Sequence, residues 1–389
     1  MWALIIIAIM ILIAIVRPDQ KPYHQPSPYP PTDANVTFFS NGHDLFRHYI
    51  ETLQSANKWI LVQFFIIKDD TFSDEVLSVL RDKATSGVSV YLLVDFIGAR
   101  AISKSNLEAL DHAGFHVIFS NRFRLRRPFS SLNRRNHRKI SVIDGDTGFL
   151  GGFNIGDQYV NQGGKFANWR DYHLQLTGSI VDHLTTQFCS DWFDNTGESL
   201  SFSKLNKRRG LSQVQLIPSA NGLLEDTFIR WIQQAEHTIQ IGTPYFIPSK
   251  RLMNVLVDKM QSGVHVTILY PHDSDHPLVK EASAPYLKQI ATYGGSVYLF
   301  YNGFYHAKLF MMDDQFIDIG TANFDRRSLF VNDEVKLVTK DLRVVNQIKH
   351  EFQRDVDASI NLYDDWFKTP NAFMFRLKQL IARLLRPFL

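Results

Sequence analysis

Two stretches carry the same reactive residue types at the same spacing. Residues 137 to 154 contain His137, Lys139, Asp144, Gly151 and Asn154, and residues 306 to 323 contain His306, Lys308, Asp313, Gly320 and Asn323. Each member of the second set stands 169 residues beyond its counterpart, 306 against 137 and 323 against 154, so neither copy has gained or lost a residue. An imidazole can attack phosphorus or carry a proton near neutral pH. An ammonium and a carboxamide donate to non-bridging oxygens as charge builds on them. Two such sets around one phosphodiester would place an imidazole on each side of the bond to be broken. One copy alone would read as a strand end with an incidental histidine; two in register argue for a shared site.

The elements that must hold these residues follow from periodicity. Ile140 and Val142, like Leu309 and Met311, alternate apolar with their neighbours, which marks a strand with one buried face and points His and Lys, two apart, to the same side. Asp144-Gly145 and Asp313-Asp314 are turn formers before a second apolar run, so each copy is expected to be a hairpin. Two-residue loops at Gly145-Asp146 and Asp314-Gln315 would set Asn154 opposite His137 and Asn323 opposite His306. Upstream, a strand at residues 59 to 67, a helix at 74 to 85 and a strand from Ser86 to Asp95 are matched by 238 to 246, 249 to 261 and Ser262 to Pro271. Such strand, helix, strand units predict an α/β fold with parallel pairing and two halves facing each other.

The motif blocks resemble the phospholipase D superfamily, whose H-x-K-x4-D motif occurs in pairs. Arg135 to Ile140, Gly151 to Asn154, Trp169-Arg170-Asp171, Thr243 to Pro248, His306-Ala307-Lys308 and Gly320 to Ser328 are similar to bacterial cardiolipin synthases, nearest the shorter, minor type. The resemblance runs from about residue 36 to the C-terminus. It implies two pseudo-symmetric α/β halves, each with a central mixed sheet flanked by helices, over residues 36 to 200 and 212 to 368, with the active site at their interface. It also implies a phosphatidyl transfer joining two phosphatidylglycerols into cardiolipin and glycerol through a phosphohistidine. His137 is then the nucleophile and His306 the acid/base. Lys139, Lys308, Asn154, Asn323 and the Thr321 hydroxyl hold the substrate phosphate. Asp171 and Glu334, one acid after each motif, orient the imidazoles, while Asp144 and Asp313 complete the motifs as turn residues. The family usually has Ser after the first motif glycine; this chain has Gly152 and Thr321, and only Thr321 retains a hydroxyl. No metal and no cofactor is expected, since the energy of the first ester is kept in the intermediate. A hydrolytic phospholipase D, a membrane-tethered nuclease and a silent lipid-binding scaffold are the rival readings.

Composition bounds the rest. At 389 residues with 45% hydrophobic and 21% charged content, the chain can bury a substantial core, and a net charge of +3 is too small to signify nucleic acid. Cys189 is the only cysteine, which excludes an intrachain disulfide. Residues 1 to 16 are uninterrupted apolar sequence, about 24 Å as a helix against a hydrocarbon core of roughly 30 Å, and are expected to be an uncleaved membrane anchor. Arg17 and Lys21 then place the body in the cytoplasm. A Pro-rich linker is expected over residues 17 to 35. Arg122, Arg124, Arg126, Arg127, Arg134, Arg135, Arg138 and Lys139, with Phe123 and Phe129, suggest a basic apron for anionic lipid beside His137. Residues 371 to 389 read as a basic amphipathic helix, with Phe373, Leu377, Leu380 and Leu384 on one side, that lies on lipid or docks on the protein's own core. The expected partners are phosphatidylglycerol, cardiolipin and the membrane; an oligomeric state is not assigned.

Overall fold

A computed structural model describes residues 26–100, 114–123, 133–202, 209–220, 222–362 and 372–384, with Ile102, Ser131 and Trp366. The expected anchor, the first part of the linker and Arg124, Arg126, Arg127 and Phe129 lie outside the described residues. Among those described, no helix is long and apolar enough to cross a membrane.

The first half contributes strands β1 (Thr32–Asn41), β2 (Trp59–Phe64), β3 (Ser89–Asp95), β4 (Phe115–Ser120), β5 (Ile140–Ile143), β6 (Thr147–Gly151) and β7 (Trp169–Thr177). The second contributes β8 (Ser212–Ser219), β9 (Thr238–Gly242), β10 (His265–Pro271), β11 (Ser296–Phe300), β12 (Phe304–Tyr305), β13 (Leu309–Met312), β14 (Phe316–Gly320), β15 (Glu334–Thr339) and β16 (Ile360–Asn361). One mixed sheet runs β16-β11-β10-β9-β13-β14-β15-β8-β1-β7-β6-β5-β2-β3-β4, with β12 added to β7. Read outward from the antiparallel β1–β8 pair, both directions give the same sequence of parts. β2-β3-β4 and β9-β10-β11 are parallel, as their intervening helices require.

Alternation along the strands sorts the core. Leu61, Leu174, Leu309 and Leu337 join a cluster shared by both halves. Ile60, Val62 and Phe149 face a second cluster within the first half, and Ile241, Phe310 and Met312 a third within the second. The helices cover these faces: α1 (Gly42–Ser55), α2 (Thr71–Thr85), α3 (Ile180–Thr196), α4 (Leu223–Gln234), α5 (Lys250–Gln261), α6 (Val279–Thr292), α7 (Arg326–Phe330), α8 (Leu342–Asp357) and α9 (Ala372–Leu384). α2 and α5 start where side-chain oxygens accept the first free N–H groups, Asp70 from Ser73 and Ser249 from Leu252.

Two expectations are corrected here, and a third, left between two alternatives, takes the docked form. The hairpins pair Ile140 with Leu150 and Leu309 with Ile319, one residue out of the expected register. Asp144 and Asp313 adopt left-handed backbone, φ 52° each, and lengthen each loop to three residues. Asn154 and Asn323 therefore do not stand opposite the histidines by strand pairing. Secondly, β1 begins at Thr32, so the linker ends before residue 35, because Thr32, Asp33 and Ala34 pair with β8. Thirdly, α9 docks through Phe375 and Ala382, with Lys378 3.5 Å from Glu281 of α6, while Leu377, Leu380 and Ile381 remain exposed.

Candidate active site

Each histidine arrives at the centre on a segment that extends the other half's structure. Asn136 forms a parallel bridge with Asp333, and the His137 N–H donates to the Asp333 carbonyl at 2.9 Å. In mirror fashion β12 pairs parallel with β7, and the His306 N–H donates to the Arg170 carbonyl. Gly303 makes that approach feasible: its φ of 112° favours glycine, and a Cβ there would fall 2.1 Å from the Asn168 carbonyl oxygen.

The crossing continues in the side chains. His137 Nδ1 lies 2.9 and 3.1 Å from the two carboxylate oxygens of Glu334, which follows the second motif. His306 Nδ1 lies 2.5 Å from Asp171 Oδ2, which follows the first. With Nδ1 engaged, Nε2 is the nitrogen left to react on each ring. The residues beside the acids are anchored across the seam as well. Arg134 donates two hydrogen bonds to Asp333 Oδ1 and one to Oδ2, while Arg170 reaches Asp355 at 2.8 Å and Glu351 at 2.5 Å.

The lysines mirror each other too. Lys139 donates to the His137 carbonyl at 2.9 Å, and Lys308 donates to the His306 carbonyl and stands 2.8 Å from His306 Nδ1. Burial drives both ammoniums toward neutrality, opposed by Glu334 and Asp171, and leaves Lys139 at about 7 and Lys308 at about 8. Burial likewise lowers both imidazoles. At His137 the Glu334 charge opposes it, and at His306 the Lys308 ammonium adds to it. An arriving phosphate monoanion would favour the protonated form of all four groups. Aromatic rings flank the set: Phe65 is 4.9 Å from His137, and Trp169 and Phe304 are 4.9 and 5.8 Å from His306.

The two acids are not equivalent. Glu334 also accepts from Thr321 Oγ1 at 2.6 Å and Ser328 Oγ at 2.8 Å. Burial would raise its pKa, but His137, the Lys139 ammonium and the Thr321 hydroxyl hold it below the ordinary value. Asp171, buried against Lys308 and the Tyr172 N–H, is raised to about 6. Gly152 explains why it fits: a Cβ there would meet Asp171 Oδ1 at 2.0 Å, so the serine usual at that point would displace the carboxylate.

One expected site residue takes another role. The Thr321 hydroxyl is committed to Glu334 and to the Val335 N–H, so it orients the acid rather than the substrate. Asp144 accepts the backbone N–H groups of Asn57, Lys58 and Trp59, and Asp313 those of Glu236, His237 and Thr238. Both are turn anchors at the far end of their strands from the histidines. Asn154 is buried and accepts from the Ile66 N–H, whereas buried Asn323 leaves its Oδ1 without a partner among the described residues. Near His137 the basic apron is not a surface: Arg135 pairs with Asp95 and Arg138 with Asp191, both buried. Ser328, Trp169 and Phe65 were given no role from sequence, although Ser328 and Trp169 lie within the motif blocks.

The family model described as "Cardiolipin synthase, PLD-like domain" matches residues 49–192 and 228–356, one motif in each segment. The minor cardiolipin synthase ClsB of Bacillus subtilis (strain 168) is 38% identical over 357 residues, 92% of this chain and 89% of that protein. The major cardiolipin synthase ClsA of the same strain is 33% identical over 368 residues, 92% of this chain and 76% of that protein. The crystal structure of phosphatidylserine synthase from Haemophilus influenzae Rd KW20 superposes with a TM-score of 0.73 at 17% identity, covering 92% of this chain and 97% of that one, a likeness of fold.

Proposed function

Because the chain belongs to the phospholipase D-like cardiolipin synthases, we propose that it transfers a phosphatidyl group between two phosphatidylglycerols, giving cardiolipin and glycerol. The carrying observation is the pair of crossed imidazole–carboxylate contacts, which leaves two Nε2 atoms and two lysines for a single phosphodiester. In the first step His137 Nε2 attacks phosphorus. The bond to the headgroup glycerol breaks, and His306 supplies the proton that the departing alkoxide takes. In the second, His306 removes the proton from a hydroxyl of the second phosphatidylglycerol, whose oxygen displaces His137 from phosphorus. Lys139, Lys308, Asn154 and Asn323 donate to the phosphoryl oxygens as charge accumulates.

The assignment of roles draws support from the unequal acids. An ionised Glu334 accepting the Nδ1 proton makes the opposite nitrogen of His137 a better nucleophile. Asp171 at about 6 sits near the range a proton-transferring pair needs. Residues 1 to 16 anchor the enzyme, with the body on the cytoplasmic side. Leu377, Leu380 and Ile381 of α9, exposed beside Arg376 and Arg383, provide a second contact with anionic lipid.

The test is product analysis with purified protein in detergent and phosphatidylglycerol, beside His137→Ala and His306→Ala. Cardiolipin and glycerol from the wild type, lost in both variants, are expected. Phosphatidic acid as sole product would make water the acceptor, and cleavage of nucleic acid without lipid turnover would overturn the lipid reading.

A further inference from the structure

Asp275 lies four residues beyond the end of β10, in a loop clasped from the first half by Lys165, whose ammonium donates to the Ser274 carbonyl at 2.5 Å. One oxygen of Asp275 is occupied: the Tyr245 hydroxyl donates to Oδ2 at 2.7 Å, and His276 Nε2 is 3.5 Å from it. The other, Oδ1, is buried with no donor among the described residues. Buried carboxylate oxygens are normally satisfied, and one held without a donor at a catalytic seam is suited to a ligand's O–H or N–H. Tyr245, which fixes this carboxylate, belongs to the second half but packs on the apolar cluster of the first. Asp275 is also close enough to the centre that its charge acts on His306, Lys308 and Tyr159.

A second unused group narrows the ligand. The ring of Trp169 stands 4.9 Å from His306, and its indole N–H is buried without a partner among the described residues. An alkylammonium could donate to Asp275 but could accept nothing from Trp169, and it would enter beside the ammoniums of Lys139 and Lys308. A ligand with hydroxyls can both donate to a carboxylate and accept from an indole N–H. We infer that Tyr245 and Asp275 form a hydroxyl-binding subsite beside His306, in which Asp275 Oδ1 accepts a hydroxyl of the glycerol headgroup that leaves or arrives. Asp275 acts here as a specificity residue for polyol acceptors, and the assignment rests on the phosphatidyl-transfer reading above.

The test separates this subsite from the chemistry by using phosphatidyl-p-nitrophenol as donor, whose leaving group has no alcohol hydroxyl, with glycerol, ethanolamine or ethanol as acceptor. Asp275→Asn is expected to lower kcat/KM for transfer to glycerol about 30- to 100-fold more than for transfer to ethanol, chiefly through the KM for glycerol. Tyr245→Phe should move the same ratio less. A ratio of glycerol to ethanol transfer that is unchanged in Asp275→Asn, or a parallel fall in both, would overturn the subsite, as would a wild-type preference for ethanolamine over glycerol. Wild-type enzyme that yields only phosphatidic acid with every acceptor would instead remove the transfer reading itself.

Discussion

Replacing Asp171 with asparagine should stabilise the protein while disabling it. Burial raises the Asp171 carboxyl from its ordinary 3.8 to about 6. The folded state therefore binds this proton more tightly than the unfolded chain. Stability from that proton is fully present below about pH 4 and is lost as the pH rises through about 6. At pH 7.5 the ionised carboxylate consequently costs about 3 kcal/mol, from roughly 1.4 kcal/mol for each unit. Asparagine removes that cost but not without losses. Lys308, held at about 8 with help from Asp171, would become fully neutral, at less than about 1 kcal/mol. The contact with His306 weakens by about 1 kcal/mol, while an amide oxygen still accepts from the Tyr172 N–H. The net expectation is a gain of about 1 to 2 kcal/mol at pH 7.5 that reverses sign by about pH 4. Cardiolipin formation should fall about 10²- to 10⁴-fold, the range seen when a carboxylate that orients a catalytic imidazole becomes an amide. Urea unfolding followed by circular dichroism in one detergent, at pH 7.5, 6 and 4.5, measures the difference. A variant less stable than wild type at pH 7.5, or a difference that does not change with pH, would refute the reasoning.

Three further outcomes follow from the same geometry. Gly152→Ser should push Asp171 from His306, because the added Cβ falls 2.0 Å from Asp171 Oδ1; activity is expected to drop at least about tenfold, read as kcat at saturating lipid, with Thr321→Ser as a near-neutral control. Asp144→Ala leaves three backbone N–H groups without their acceptor and should cost about 2 to 3 kcal/mol in chemical denaturation, with kcat per folded molecule close to wild type. The pH profile of kcat/KM should decline on the alkaline side from about 7 to 8 as Lys139 and Lys308 lose their protons. Lys139→Met should remove the lower of these transitions and most of the rate.

The recurrence of His137, Lys139 and Asp144 at His306, Lys308 and Asp313 made the two-part organisation legible; strands β5 and β13 followed from period-2 apolar runs, and β2, β3, β9 and β10 from the matched strand, helix, strand units. What escaped was long-range. An acid follows each motif, and no local pattern tells whether Glu334 serves its own histidine or the one 197 residues away. The arginines on either side of His137 looked exposed because their partners Asp95, Asp191 and Asp333 come from distant elements. The hairpin register slipped by one because an aspartate in left-handed backbone is indistinguishable in sequence from one in an ordinary turn. Thr321 carried a hydroxyl suited to either a phosphate or Glu334, and only packing decides between them.

The exchange of acids across the seam also sets a schedule for biosynthesis. His137 leaves the ribosome 197 residues ahead of Glu334, about 10 to 40 s at ordinary elongation rates. His306 finds Asp171 already made, yet it is itself synthesised late. A nascent chain holding the whole first half thus has one imidazole with no base and one acid with no imidazole. Reactivity toward phosphodiesters begins only when the final quarter of the polypeptide docks, so a prematurely terminated product lacks the paired site.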